Sequence, residues 1–233
     1  PVERTVRELL DLLAPGDVVV DGGNSNFRDS MRRAALLEER EMHLVDCGTS
    51  GGVWGLDAGY CLMIGGPREP VERLRPLFET LAPGAETGWA HVGPSGAGHF
   101  VKMVHNGVEY GMMQAYAEGF ALLRAKGEFE LDLHAVAETW RHGSVVRSWL
   151  LDLIARALAE NPGLEGVVPA VGDSGEGRWT VFEAIQSDVP APVITLSLIS
   201  RLRSRDQNSF ADRLLAAMRY QFGGHLMRME DPR

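Results

Sequence analysis

Cysteine is scarce. Two thiols, Cys47 and Cys61, are all that 233 residues contain, and they stand in no metal-ligating or redox spacing. A disulfide-built secreted scaffold is thereby excluded. The pair reads as buried small apolar residues in a chain suited to a reducing, cytoplasmic compartment. Long apolar runs are also missing: none approaches the ~18 residues that a membrane-spanning helix needs. The start, Pro1-Val2-Glu3-Arg4, has no charged-then-apolar secretory pattern. Positive charge is in deficit, with 23 Lys and Arg against 32 Asp and Glu and a net charge of −9. An acidic chain lacks the basic surface from which nonspecific nucleic-acid binding draws most of its affinity, so neither nucleic acid nor membrane is an expected partner. No repeat or low-complexity tract occurs. With 45% hydrophobic residues the chain has ample material for a core, which excludes a disordered protein.

The first hundred residues alternate helix and strand signals. Residues 3–13, 28–41 and 69–82 read as helices; Val18-Val19-Val20, His43-Leu44-Val45-Asp46 and Leu62-Met63-Ile64 read as short buried strands. Such alternation predicts a parallel α/β sheet, with ligands at the carboxyl ends of the strands. The Gly-rich loops Asp21-Gly22-Gly23-Asn24-Ser25 and Gly48 to Gly52 fall there. From His99 to Lys126 a single long helix is expected. Further helices follow near 131–140, 144–160, 179–187, 192–203 and 207–221. The expected organisation is therefore α/β over residues 1–97, then an all-helical part over residues 98–233. A dinucleotide-binding domain normally opens with a strand, G-x-G-x-x-G and a helix. This chain has no such opening, and residues 1–97 read as the second half of a Rossmann-like doubly wound domain.

The long helix carries the chemistry. Lys102, His105, Asn106 and Glu109 fall at i, i+3, i+4 and i+7, on one face of a helix. A polar stripe between valines is either a solvated surface or the wall of a ligand cavity. Surface stripes usually repeat Glu, Lys and Arg. This one holds single, different groups with Gly107 and Gly111 beside them, which favours the cavity. Lys102 and Glu109 stand two turns apart, roughly 10 Å along the axis, too far for a salt bridge. They suit a base and an acid acting on different atoms of one elongated substrate.

These residues resemble the 6-phosphogluconate dehydrogenase family. Asp21-Gly22-Gly23-Asn24-Ser25, Gly48-Thr49-Ser50-Gly51-Gly52 with Met63-Ile64-Gly65-Gly66, and Lys102-Met103-Val104-His105-Asn106-Gly107-Val108-Glu109-Tyr110-Gly111 match its motifs in order. Trp140-Arg141 with Gly143 and Arg147-Ser148, then Asp173-Ser174 to Trp179-Thr180, and finally Arg219-Tyr220-Gln221-Phe222-Gly223-Gly224-His225 extend the match through nearly the whole chain. The resemblance implies oxidative decarboxylation of 6-phosphogluconate to ribulose 5-phosphate and CO2, with NADP or NAD as cofactor. It implies Lys102 as base at the 3-hydroxyl and Glu109 as the acid that protonates C1. His105, Asn106, Ser50, Gly51 and Gly52 would hold the sugar acid, and Asn24 would lie between substrate and cofactor. Tyr110 and Arg201 match phosphate-site positions. Arg219 and His225 match residues that a neighbouring subunit supplies, which implies a homodimer or a tetramer. Gly65-Gly66 reads as a tight turn.

The long form of the family has a lysine in the loop before Trp179-Thr180; here Arg178 is expected to take part of its phosphate role. The chain resembles the shorter bacterial type and lacks the family's first nucleotide-binding half. By itself it is expected to bind cofactor poorly and turn over slowly. The alternatives are another β-hydroxyacid dehydrogenase, or a noncatalytic sugar-phosphate-binding or oligomerisation module.

Overall fold

The computed structural model describes residues 2–223. Helix α1 (Val2–Leu9) leads into β1 (Val18–Asp21), the β-branched run, and α2 (Phe27–Glu38) joins it to β2 (His43–Ser50). β1 and β2 are parallel, with Val18 opposite His43. The link to the next strand is too short for a parallel crossover. It holds only a 3-10 turn at Gly52–Trp54 and the single turn α3 (Gly55–Ala58). β3 (Cys61–Gly65) therefore returns antiparallel to β2. Helices α4 (Arg68–Arg73) and α5 (Arg75–Leu81) carry the chain across to β4 (Trp89–Gly93), which is parallel to β3. The sheet has the order β1-β2-β3-β4 and is mixed, not all-parallel as the alternation alone predicts.

Three expected helices differ in extent, the first of them, 3–13, ending already at Leu9. The segment 69–82 breaks at Leu74, just before Pro76, whose missing N–H cannot continue the ladder from α4. The segment 144–160 becomes helical only at Trp149, because the Ser148 side chain accepts the Leu151 N–H at 3.2 Å and caps the helix there. After the sheet come α6 (Ala97–Ala125), α7 (Leu133–Arg141), α8 (Trp149–Glu160), α9 (Glu176–Gln186), α10 (Pro192–Arg205) and α11 (Phe210–Gly223). No described helix is long and apolar enough to cross a membrane.

Alternation along β2 explains the layers. Val45 and Cys47 point to one face, where Val71 and Phe78 of α4 and α5 close the core. Leu44 points to the other, against Val6 of α1 and Leu37 of α2. Asp46 and Gly48 share that second face, and onto it α6 docks. Cys47 is buried and burial pushes its thiol up, whereas Cys61 is exposed, contrary to the expectation that both are core residues.

The docking of α6 sets everything downstream. Its cap, Gly96, has φ +94°, a left-handed conformation that glycine adopts freely. The carboxylate of Asp46, fully buried, accepts the Gly96 N–H at 2.6 Å and the His99 N–H at 2.9 Å. A strand residue thus caps a helix 50 residues later. A buried carboxylate at a helix amino end, with two N–H donors, is worth about 1–2 kcal/mol. Contact is backbone on backbone: a Cβ on Gly98 would sit 2.4 Å from the Met63 carbonyl oxygen and 2.5 Å from that of Asp46. A Cβ on Gly65 would meet the Gly98 nitrogen at 2.6 Å, so Gly65 marks a close approach rather than only a turn. The Ser30 hydroxyl bonds the His99 Nδ1 at 2.7 Å and pins α2 to α6.

Gly98→Ala forces backbone apart and is expected to cost about 2–3 kcal/mol in urea unfolding. Gly119→Ala, on the same helix with nothing near its Cα, is expected to stabilise by up to ~1 kcal/mol. Equal effects of the two changes would contradict the docking described.

Candidate active site

Because α6 begins against the sheet, its next two turns pass the carboxyl ends of β1 and β2. A cleft of about 1020 Å³ opens there. Asn24, Ser50, Gly51, Gly52, Lys102, His105, Asn106 and Glu109 all line it. The polar stripe therefore faces a cavity.

The loop after β1 owes its shape to Asp21. One oxygen of its buried carboxylate accepts the Gly23 N–H at 3.1 Å, the other the Ser25 hydroxyl at 2.7 Å, and Arg33 pairs with it at 3.4 Å. That fold of the loop presents Asn24 to the cleft. Asp21 itself is a scaffold.

On α6 the side chains form a connected series. Lys102, only 7% exposed, donates through Nζ to the Asn106 Oδ1 at 2.8 Å. The His105 Nδ1 lies 3.1 Å from the same oxygen, and 4.0 Å from the Glu109 Oε2. A carbonyl oxygen accepts only, so His105 carries its proton on Nδ1 in this arrangement. Burial lowers the Lys102 pKa from the ordinary lysine value, while the charges of Glu109, Glu176 and Cys61 pull it back up. The balance leaves the amine below the ordinary lysine value, so it gives up its proton more readily than an exposed lysine.

Several cleft residues carry no signal in the stripe. Val101, Val104, Val108 and Met112 line the cavity beside the polar groups. Ser148, Trp149, Leu150 and Leu153 of α8 close it from the far side. The Trp54 ring lies beneath the Arg156 guanidinium, 4.5 Å from its centroid, and joins the loop after β2 to α8. Of these, Val104, Val108 and Ser148 fall in stretches that the sequence motifs single out.

The expected phosphate residues do not join them. Arg178 donates to Asp173 at 2.5 Å. Arg201 lies over the Tyr110 ring at 3.4 Å and bonds the Gly172 carbonyl at 3.0 Å. Tyr110 is buried under it, with its hydroxyl 3.5 Å from Asp173. Although burial pushes the Asp173 carboxyl up, Arg178, the Gly175 N–H and Arg205 hold it below its ordinary value. Arg178 and Arg201 are thus engaged behind α6, and neither lines the cleft. Arg219 is exposed on α11; His225 lies outside the described residues.

Comparison with known proteins follows the same division of the chain. Residues 1–93 match the family description "NAD binding domain of 6-phosphogluconate dehydrogenase", and residues 98–221 match "6-phosphogluconate dehydrogenase, C-terminal domain". The NAD(+)-dependent decarboxylating 6-phosphogluconate dehydrogenase of Haloferax volcanii is 48% identical over 231 residues, 99% of this chain and 76% of that protein. The decarboxylating enzyme of Lactococcus lactis subsp. lactis is 36% identical over 235 residues, 95% of this chain and 50% of that one. Among solved structures, Plasmodium falciparum 6-phosphogluconate dehydrogenase superposes with a TM-score of 0.81 at 27% identity, over all of this chain and half of that one. A Mycobacterium tuberculosis 3-hydroxyisobutyrate dehydrogenase, at TM-score 0.66 and 22% identity over 84% of this chain and 67% of that one, shares the fold.

The lowered pKa of Lys102 has a stability consequence. Between the folded and unfolded pKa values only the unfolded chain binds the proton, so stability rises with pH in that window. At neutral pH the folded state bears the cost of keeping this amine buried. Lys102→Met is expected to raise the thermal midpoint at pH 7, with the gain shrinking as pH climbs through the ordinary lysine range. A gain that does not change with pH would contradict a perturbed amine.

Proposed function

The chain belongs to the 6-phosphogluconate dehydrogenase family, and from that premise we propose that its cleft oxidises and decarboxylates 6-phosphogluconate to ribulose 5-phosphate and CO2 with NAD or NADP. The observation that carries this reading is that Lys102 and Glu109 open into one cavity from one helix.

The cleft suits the nicotinamide end of the cofactor: Asn24 sets a donor-and-acceptor amide at its rim, beside the apolar surfaces of Met63 and Phe100. A bound nicotinamide supplies the hydride acceptor. This chain's residues do the rest. Lys102, held by Asn106, takes the proton of the 3-hydroxyl as C3 becomes a ketone. The resulting ammonium then faces the keto oxygen and draws electron density toward it. The bond from C2 to the carboxylate carbon breaks, CO2 departs, and an enediol remains. Glu109, two turns along, gives its proton to the terminal carbon, and the ketose forms. His105, between Asn106 and Glu109, orients both neighbours. Ser50, Gly51 and Gly52 offer backbone N–H groups to the carboxylate that leaves.

Among the described residues lining the cleft, Lys102 and His105 are the cationic or titratable basic groups, and no arginine is present. We infer that the substrate phosphate is gripped by Arg219 and His225 of a second copy of this chain. Exposed apolar residues on α10 and α11, including Leu196, Ile199 and Leu215, support a homodimer through the helical part. The free thiols of Cys47 and Cys61 support a reducing, cytoplasmic setting.

In protein carrying a full nucleotide-binding domain, Lys102→Met is expected to lower kcat for NAD or NADP reduction by about 10³-fold or more at unchanged fold. Glu109→Gln should slow release of ribulose 5-phosphate more than it slows reduction, which product analysis in single turnovers separates. Near-normal reduction by Lys102→Met would refute the assignment.

A further inference from the structure

One buried carboxylate has no part in the reaction above. Glu176, the first residue of α9, is 2% exposed. Its Oε2 accepts the Ser174 hydroxyl at 2.5 Å, but its Oε1 is buried with no hydrogen-bond partner. An ionised oxygen left alone in the interior is costly, so the position is informative. The first turns of α9 lie directly on α6. The Thr180 hydroxyl stands 2.7 Å from the Met103 carbonyl oxygen and 2.8 Å from that of Glu176. Gly107 leaves room for Thr180, and Gly177 leaves room for the Tyr110 ring, where a Cβ would come within 2.4 Å. Glu176 is therefore locked against the stretch of α6 that holds Lys102 and Asn106.

We propose that Glu176 is a positioning residue for Lys102: its free oxygen is the counter-charge that the amine meets once it has taken the substrate proton. The amine uses one N–H on the Asn106 oxygen. The ammonium has three N–H donors and a full charge, and Asn106 satisfies only one of them. A fixed carboxylate behind the helix stabilises that charged state without approaching the substrate. The other groups facing Lys102 differ in kind: His105 and Glu109 on α6 are half-exposed in the cleft, and Cys61 on β3 is exposed. Ser174 bonds the Glu176 carboxylate, the Tyr110 ring packs on the neighbouring Gly177, and the charge of Asp173 is offset by Arg178 and Arg205. Glu176 is the only buried carboxylate among the charges acting on Lys102, and it opposes the lowering that burial imposes.

This inference rests on reading Lys102 as the base, yet the amine can be read without turnover. The chain has just two lysines, Lys102 and the exposed Lys126, so the second is an internal standard. Competitive acetylation with acetic anhydride across a pH series, resolved by peptide mass spectrometry, gives the neutral fraction of each amine. In Glu176→Gln, which keeps the shape and the Ser174 contact, Lys102 acetylation relative to Lys126 at pH 7–8 is expected to rise about threefold or more. Glu176→Asp, which keeps the charge, should stay nearer the parent. Should the glutamine variant fail to fold, Ser174→Ala supplies the test: both carboxylate oxygens then lack a neutral donor, and Lys102 acetylation is expected to fall. A Lys102 profile that does not move in the folded variants overturns the proposal, because a purely structural Glu176 alters stability and not the amine. Failure of the base assignment itself shows separately, as turnover retained by Lys102→Met.

Discussion

The amino end of α6 rests on the sheet backbone against backbone at Gly98 and Gly65. Gly48, Gly65 and Gly98 remove the Cβ atoms that would hold the layers apart, and the Asp46 carboxylate takes the N–H groups that the helix start leaves unpaired. This contact fixes the azimuth of α6. Once it is set, Lys102 has to pass over Gly48, whose missing side chain is the space that the lysine stem occupies: a Cβ there would lie 2.4 Å from the Lys102 Cβ. The rest of the polar stripe follows by helical period into the cleft. A sheet residue and a helix start, rather than any group that touches substrate, determine where the reacting amine points.

Placing that amine has an energetic consequence. A lysine 7% exposed is held where its charged form is disfavoured, and the fold bears that cost in its resting state. Chemistry at neutral pH needs a free lone pair, so instability at this point is the condition for activity. The surrounding carboxylates then matter in sequence. Glu109 faces the cleft and is available to substrate; Glu176 is buried at the start of α9, outside the cleft lining, with one oxygen on Ser174 and the other assigned to the lysine. One helix thus separates a group that exchanges protons from a group that only supports charge.

Much of this was legible in the residues, and the failures have physical causes. The stripe Lys102, His105, Asn106, Glu109 could be read because helical period is local. The Gly-rich loops could be read because strand ends punctuate the pattern. The mixed sheet could not, since direction depends on whether the 52–60 segment is long enough to cross over, and its two short helical turns look like ordinary loop. Asp46 was hidden because its partners, the Gly96 and His99 N–H groups, lie far away in sequence, and Glu176 because the face of α6 on which α9 packs is equally distant. An acidic residue inside the apolar strand His43-Leu44-Val45-Asp46-Cys47 was the available signal for the first. For the lysine the composition holds a further signal: of 23 Lys and Arg residues only Lys102 and Lys126 are lysines, so a lysine in the polar stripe stands out from a background of arginine. Arg178 and Arg201 were legible as charges and not by their contacts: Asp173 and the Tyr110 ring already occupy them.

The account stands or falls on where the sugar acid lies. A crystal structure with 6-phosphogluconate bound is the direct measurement. It is predicted to place the 3-hydroxyl within hydrogen-bonding reach of the Lys102 Nζ, with the Glu109 carboxylate over C2, the carbon that becomes the terminal carbon of the product. Substrate seated elsewhere, for instance in the apolar groove between α6 and α8 lined by Met113, Phe120 and Leu158, with Lys102 and Glu109 untouched, would contradict it.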